Sequence, residues 1–202
     1  MALNTKQIYW AICNYVQLMC KSCQSHRKVP RFLGVWPKDQ LLSIRKDLSS
    51  DEYPVFYVAN TDTSNLPGQH WVAFYWSSPK ECEYFDSYGL SPDVHLMFPA
   101  EGSRVALTCN PRQVQAFDST SCGHHCILYL ISKLNGLSLQ QFLSIFYPSY
   151  ASLPKNDAVA KYKVSRLLKL SSSPASFIDS SNQCYCSKSQ ACLSRLECRC
   201  AP

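Results

Sequence analysis

Residues 122–134 constrain the fold more than any other stretch of the chain. They read Cys-Gly-His-His-Cys-Ile-Leu-Tyr-Leu-Ile-Ser-Lys-Leu, with Ile127, Leu128, Leu130 and Ile131 at its centre. So apolar a run of helical length predicts a buried helix. Asn135-Gly136 closes it, because the position past a last helical turn favours the left-handed backbone that glycine adopts without penalty.

The remaining segments predict the layers around that helix. Ile8, Ala11, Ile12, Tyr15, Val16 and Met19 recur at helical spacing, so 5–20 reads as a helix. Residues 21–34 read as a basic loop ending at Phe32-Leu33-Gly34. Trp36-Pro37 then opens a short helix near 38–47, with Leu41, Leu42 and Ile44 on its apolar face. Strands are predicted at 55–58, 70–76, 81–86 and 104–109. The second is apolar on both faces and so belongs at the centre of a sheet. Ser138 caps a helix at 139–146, and 155–169 is helical. The expected class is α+β: a central mixed or antiparallel sheet of about four to five strands flanked by helices. After Leu170 the composition changes. Ser171-Ser172-Ser173-Pro174 opens a segment with five of the twelve cysteines and no apolar period. The expected division is a domain over 1–169 and a weakly structured tail over 170–202.

No apolar run reaches 18 residues, which excludes a membrane-spanning helix and a membrane partner. The first residues, Met-Ala-Leu-Asn-Thr-Lys-Gln, are not a secretory signal. The expectation is an intracellular, unsecreted protein whose cysteines are thiols rather than a disulfide framework. A net charge of +6 permits DNA as a partner without requiring it.

The chemistry-bearing residues form a dispersed set. Cys122 stands at the start of the buried helix, where backbone N–H groups point outward and favour a thiolate. Gly123 beside it permits close approach of loop and substrate. Taken singly, Cys122 would more often be a small buried apolar residue, as Cys126 is expected to be. His70 starts the central strand beside Trp71. Opposed residues of an antiparallel hairpin have a constant index sum. If residues 77–79 form the connection, Trp76 faces Lys80 and His70 lies directly opposite Asp86. Their Cβ atoms would then be about 5 Å apart. A five-residue connection gives the same pairing; one of four puts Ser87 there instead. Gln115, seven residues before Cys122, offers an amide donor for an oxyanion, with Gln113 as a nearby competitor.

The set Gly68-Gln69-His70-Trp71, then Phe85-Asp86-Ser87-Tyr88-Gly89, then Val114-Gln115-x6-Cys122-Gly123 resembles the adenovirus maturation protease (adenain) family and the wider Ulp/SUMO-protease clan. The resemblance covers roughly 55–150. It implies an α+β cysteine endopeptidase, acting as a monomer on polypeptide substrates. It also implies His70 as base, Asp86 as orienting acid, Gln115 as oxyanion donor and Cys122 as nucleophile. Trp71 and Gly123 would lie in a narrow groove, where members of the family often cleave after glycine. No metal or organic cofactor is required. The implied substrates are viral or viral-like structural precursors, in a virion or a host nucleus; the near rival is removal of ubiquitin-like modifiers. The adenovirus enzyme's peptide activator attaches through a cysteine upstream of the glutamine. The corresponding region here, Glu101 to Val105, has none, so that activator is not expected.

Other features point less far. Cys20-x2-Cys23 with His26 is half of a zinc spacing without its second half, and the C-x-C pairs of the tail do not supply one. Adjacent His124 and His125 point about 100° apart on a helix, one toward the cleft and one toward the surface. Lys161, Lys163, Arg166 and Lys169 form a basic helical face, expected to be solvated. The rival of another class is a cysteine-rich protein that binds metal or nucleic acid.

Overall fold

The computed structural model describes residues 2–22, 29–44, 52–97 and 105–170. Five strands form one sheet in sequence order: β1 (Arg31–Pro37), β2 (Val55–Asn60), β3 (Trp71–Ser78), β4 (Glu81–Phe85) and β5 (Ala106–Cys109). β1 runs parallel to β2, β3 is antiparallel to both its neighbours, and β5 runs parallel to β4. The helices are α1 (Thr5–Ser22), α2 (Leu41–Ile44), α3 (Cys122–Leu134), α4 (Leu139–Leu143) and α5 (Leu153–Leu170). The fold is therefore α+β with a mixed sheet, and β3 is its central strand as expected. Among the described residues no helix is long and apolar enough to cross a membrane.

Alternation along the strands makes two cores. Phe56, Val58, Ala73 and Phe85 face the buried surfaces of α1, α3, α4 and α5. Tyr57, Ala59, Val72, Phe74, Trp76 and Tyr84 face the other way, under Leu33, Trp36, Leu41 and Ile44. Both faces of β2 are thus fully covered. On the helical side Phe85 stacks on Tyr129 (centroids 4.8 Å apart) and meets the edge of Phe142 at 5.3 Å. Truncating a ring buried this completely costs about 3–5 kcal/mol. α1 begins with a reciprocal cap. Asn4 Oδ1 accepts from the Gln7 amide, and Gln7 Oε1 accepts from the Asn4 amide. Ser138 and Gln141 do the same for α4.

Three expectations need correction. Residues 31–37 are a strand, not the end of a loop. Gly34, at φ 110°, sits in a bulge between Phe32 and Val35 that breaks the apolar alternation. The β3–β4 connection is two residues, 79–80, so most pairs sum to 158 rather than 156, with an irregularity between Trp76 and Ser78. Cys13 is disulfide-bonded, whereas Cys82, Cys109, Cys122 and Cys126 are free thiols as expected. The expected helix at 38–47 is a short 3-10 turn followed by α2, and its last part lies outside the described residues. So do residues 171–202 of the tail, and Cys23 and His26 of the possible zinc spacing.

The topology gathers one end of the sheet into a working surface. β3 starts where β2 and β4 finish, and the parallel partners β1 and β5 finish there too. Trp36, Asn60, His70 and Asp86 all come to that end, as does the chain leaving β5 toward Gln115.

Candidate active site

His70 immediately precedes β3 and Asp86 immediately follows β4. The ladder stops at Ala73–Phe85; continued at an index sum of 158 it would set Asp86 beside Val72, but the chain turns after Asp86 and brings the Tyr88 ring onto His70, centroids 4.8 Å apart. Asp86 is then the diagonal neighbour on the same face, still within reach of an imidazole. His70 Nε2 lies 2.8 Å from Asp86 Oδ1. The expected pairing forms, by the diagonal rather than the direct route.

Asp86 has no exposed surface. Burial alone would push its carboxyl up, but hydrogen bonds from His70 and His95 outweigh it and hold the group below the usual carboxylate range. Oδ1 also accepts the Tyr88 amide at 2.8 Å, and Oδ2 lies 3.0 Å from His95 Nε2. The backbone of Asp86 is clamped by Asn110. Its side-chain oxygen accepts the Asp86 amide at 2.9 Å, and its Nδ2 donates to the Asp86 carbonyl at 2.6 Å. The turn closes with the Gly89 amide on the Asp86 carbonyl at 2.8 Å. Gly89 has φ 72°, and a Cβ there would stand 2.7 Å from the Arg112 carbonyl carbon, so no other residue fits without displacing backbone.

Cys122 is the first residue of α3, with no acidic residue in the first turn. The His125 amide bonds to the Ser121 carbonyl at 3.0 Å, leaving the earlier amides of the helix pointing out beside the sulfur. Nε2 of His70 is occupied by Asp86, so Nδ1 is the nitrogen left for the Cys122 thiol. Burial works to lower the His70 imidazole. Its hydrogen bonds and charge interactions with Asp86 and Cys122 prevail and raise it from 6.5 to about 9. His70, Cys122, Trp71 and Tyr88 line one cleft of about 540 Å³, together with Gly68 and Ser119. An acid, an imidazole and a thiol at a helix N-terminus are thereby in series at the mouth of an open groove.

By sequence, the chain is similar to viral cysteine proteases. Over 99 residues it is 30% identical to cysteine protease S273R of African swine fever virus (Tick/Malawi isolate), covering 43% of this chain and 36% of the relative. It is 29% identical over 99 residues to a protein named SUMO-1 cysteine protease S273R from the Warthog/Namibia isolate. The chain thus spans little more than a third of the length of these relatives. No protein-family model matches it. Among solved structures, the African swine fever virus pS273R protease aligns at 17% identity and a TM-score of 0.42, over 77% of this chain and 66% of that one. ChlaDub1 from Chlamydia trachomatis aligns at 15% identity and 0.47, over 84% and 94%.

The other sequence-derived residues fall as follows. Gln115 is fully buried and lies under the cleft. Its Oε1 accepts from Ser87 Oγ at 2.6 Å. Its Nε2 donates to the Ser119 carbonyl at 2.7 Å and to the Tyr88 hydroxyl at 3.1 Å. Gln113, the competitor, donates instead to the Gln115 carbonyl at 2.6 Å and props its backbone. Trp71 is half-buried in the groove wall, its indole N–H on the Leu3 carbonyl at 3.1 Å. Gly123 is packed rather than groove-lining: a Cβ there would meet Ile8 Cδ1 at 3.0 Å and Trp71 Cδ1 at 3.3 Å. Cys126 is fully buried, its thiol on the Trp71 carbonyl at 3.2 Å. Neither neighbouring histidine is exposed, contrary to expectation, because α3 is covered on both sides there. His124 is pushed down to about 4 by burial and nearby positive charge.

Four residues of the site escaped the sequence reading. Asn110 and His95 hold Asp86. Asp157, on α5, accepts from Ser121 Oγ and His125 Nε2 and from the Ala116 amide, bracing the loop that carries Cys122. Arg112 donates to the Leu143 and Phe146 carbonyls at the end of α4, anchoring the loop that carries Gln115. Their partners lie up to 41 positions away, so no local spacing announces them. One trio among the described residues has the donor types of a metal site: His70, Asp86 and His95, each offering an atom within 4.8 Å of the others. Those atoms are already engaged by hydrogen bonds, each imidazole on its own oxygen of the Asp86 carboxylate.

Proposed function

We propose that this chain is a thiol-dependent peptidase. The observation that carries the reading is the series Asp86–His70–Cys122, buried at one end and opening on a groove at the other. The similarity to the swine fever virus proteases supports it independently.

His70 takes the Cys122 proton, and the resulting imidazolium is stabilised by the Asp86 carboxylate. The thiolate attacks a peptide carbonyl carbon and the carbonyl π electrons move to oxygen. The oxyanion is met by the Cys122 backbone amide and by Gln115, once the Gln115 amide exchanges the Tyr88 hydroxyl for it. Imidazolium Nδ1–H protonates the departing amine as the C–N bond breaks, leaving a thioester. Water, deprotonated by His70, hydrolyses the thioester and restores the thiol. The stack of Phe117 on Tyr88 on His70 shields the imidazole face from solvent. Trp71 forms one wall of the substrate groove.

For substrates, we favour cleavage after small residues such as glycine in viral or viral-like precursor proteins, as the adenain-like motif set suggests. Work inside an infected cell or a virion goes with that reading. A second reading is isopeptidase action on a ubiquitin-like modifier, favoured by the name of one relative, SUMO-1 cysteine protease. Wild type and Cys122→Ala should be compared on a peptide library and on SUMO–lysine conjugates. Cleavage lost with Cys122→Ala supports the proposal and the preferred substrate ranks the two readings. Cleavage that survives in folded Cys122→Ala refutes both.

A further inference from the structure

Asp86 is held by two imidazoles, and the mechanism above uses one. His95 closes the 3-10 helix Pro92–His95, which is fixed at both ends. Ser91 Oγ accepts the Asp93 amide at 3.3 Å, and the Met97 amide returns to the Pro92 carbonyl at 2.9 Å. Met97 itself is buried in the second core. The segment therefore presents His95 in a set position, half-buried beside the site, its ring 5.7 Å from that of His70.

We propose that His95 is a positioning residue: its Nε2–H holds Asp86 Oδ2 and so fixes the carboxylate that orients His70. This rests on the peptidase reading given above. Asp86 Oδ1 has two donors, His70 Nε2 and the Tyr88 amide. Among the described residues, the donor to Oδ2 is His95 alone. Because Asp86 is ionised and accepts only, the His95 nitrogen facing it carries the proton. Without that donor, an anionic oxygen of a residue with no exposed surface is left unpaired. The carboxylate can relieve this by rotating about Cβ–Cγ, which misaligns Oδ1 from His70. Either the strain or the rotation weakens the hold on the imidazole that activates the Cys122 thiol.

Two variants separate the donor from mere packing. His95→Gln keeps an N–H donor near the Nε2 position and loses the ring. His95→Phe keeps the ring and loses the donor. The readout is the rate at which iodoacetamide alkylates Cys122 at pH 6, followed by peptide mass spectrometry on the full chain, with the melting temperature of each variant as a check on folding. His95→Phe is expected to slow labelling by about 10- to 150-fold, the scale of one lost hydrogen bond to a charged group, with His95→Gln within about threefold of wild type. Wild-type labelling in His95→Phe, or slower labelling in His95→Gln than in His95→Phe, overturns the proposal. His70→Phe is run alongside. Unchanged labelling there removes the peptidase reading and this inference with it. Slowed labelling there, with wild-type labelling in His95→Phe, removes only the role of His95.

Discussion

Ser121 Oγ donates to Asp157 Oδ1 at 2.5 Å across 36 positions of sequence, and this contact ties the residue before the thiol to α5. His125 Nε2, one helical turn on, shares the same oxygen at 3.0 Å. The Ala116 amide takes Oδ2 at 3.2 Å. One carboxylate thus fixes both ends of the loop between Gln115 and Cys122. Removing it in Asp157→Ala strands three buried donors and should cost about 2–4 kcal/mol in urea unfolding. Asp157→Asn, which still accepts from Ser121 and His125, should cost about half as much. Both should slow Cys122 alkylation, Asp157→Ala the more. Labelling at the wild-type rate in a destabilised Asp157→Ala would mean the brace serves the fold and not the thiol.

The Asp86–His70 pair gives stability a defined pH window. The His70 folded value, about 9, lies above its ordinary 6.5. Its contribution is complete below 6.5 and is lost as pH rises toward 9. The Asp86 folded value lies below the ordinary 3.8. Its contribution is complete above 3.8 and is lost as pH falls through the folded value. The pair's contribution, read as the melting temperature of wild type minus that of Asp86→Asn, should therefore hold between about pH 4 and 6.5 and decline on both sides, while buried His124, pushed down to about 4, lowers the melting temperature of both proteins as pH falls below 6.5. In Asp86→Asn the His70 imidazole, followed by its ring-proton NMR shift, should titrate lower than in wild type because burial then meets less opposition. A wild-type melting temperature that climbs from pH 6.5 to 9 relative to Asp86→Asn contradicts the ion pair.

Much of this was legible in the sequence. Both ends of α3 follow from Cys122-Gly123 and Asn135-Gly136, since a helix start and stop are local chemistry. His70 and Asp86 were paired despite a register wrong by two, because the pair sits beyond the last ladder rungs, where a diagonal contact serves as well as a direct one. β1 was missed because Gly34 interrupts its pattern and its parallel partner β2 begins far along the chain. His95, Asn110 and Asp157 stayed hidden because each is an ordinary polar residue until the fold brings a buried charge or amide to it.

Gly89 should tolerate no side chain. Its φ of 72° is costly for any residue with a Cβ, and that Cβ would press on the Arg112–Gln113 backbone, which cannot rotate away. Gly89→Ala should destabilise by about 2–4 kcal/mol and loosen the Asp86 turn. The effect on Cys122 alkylation should match that of Asn110→Ala, which removes the other clamp on the Asp86 backbone. A Gly89→Ala variant as stable as wild type would show that the turn can reorganise.

Gln115 poses the sharpest question about mechanism, because both of its amide hydrogens are already engaged. The bond to the Ser119 carbonyl is short, 2.7 Å, and keeps the side chain in place; the bond to the Tyr88 hydroxyl is 3.1 Å and faces the cleft wall. If the second hydrogen is the one released to the oxyanion, Tyr88 is its resting partner and not a donor itself. Tyr88→Phe should then leave kcat within about threefold of wild type, since the ring still stacks on His70 and the amide is already free. Gln115→Ala should lower kcat by about 10²–10³, the usual effect of losing one oxyanion donor, with little change in KM. The opposite ranking, a large loss in Tyr88→Phe and a small one in Gln115→Ala, would move the oxyanion donor from the amide to the phenol. It would leave Gln115 as the residue that ties Ser87 to Ser119 beneath the cleft.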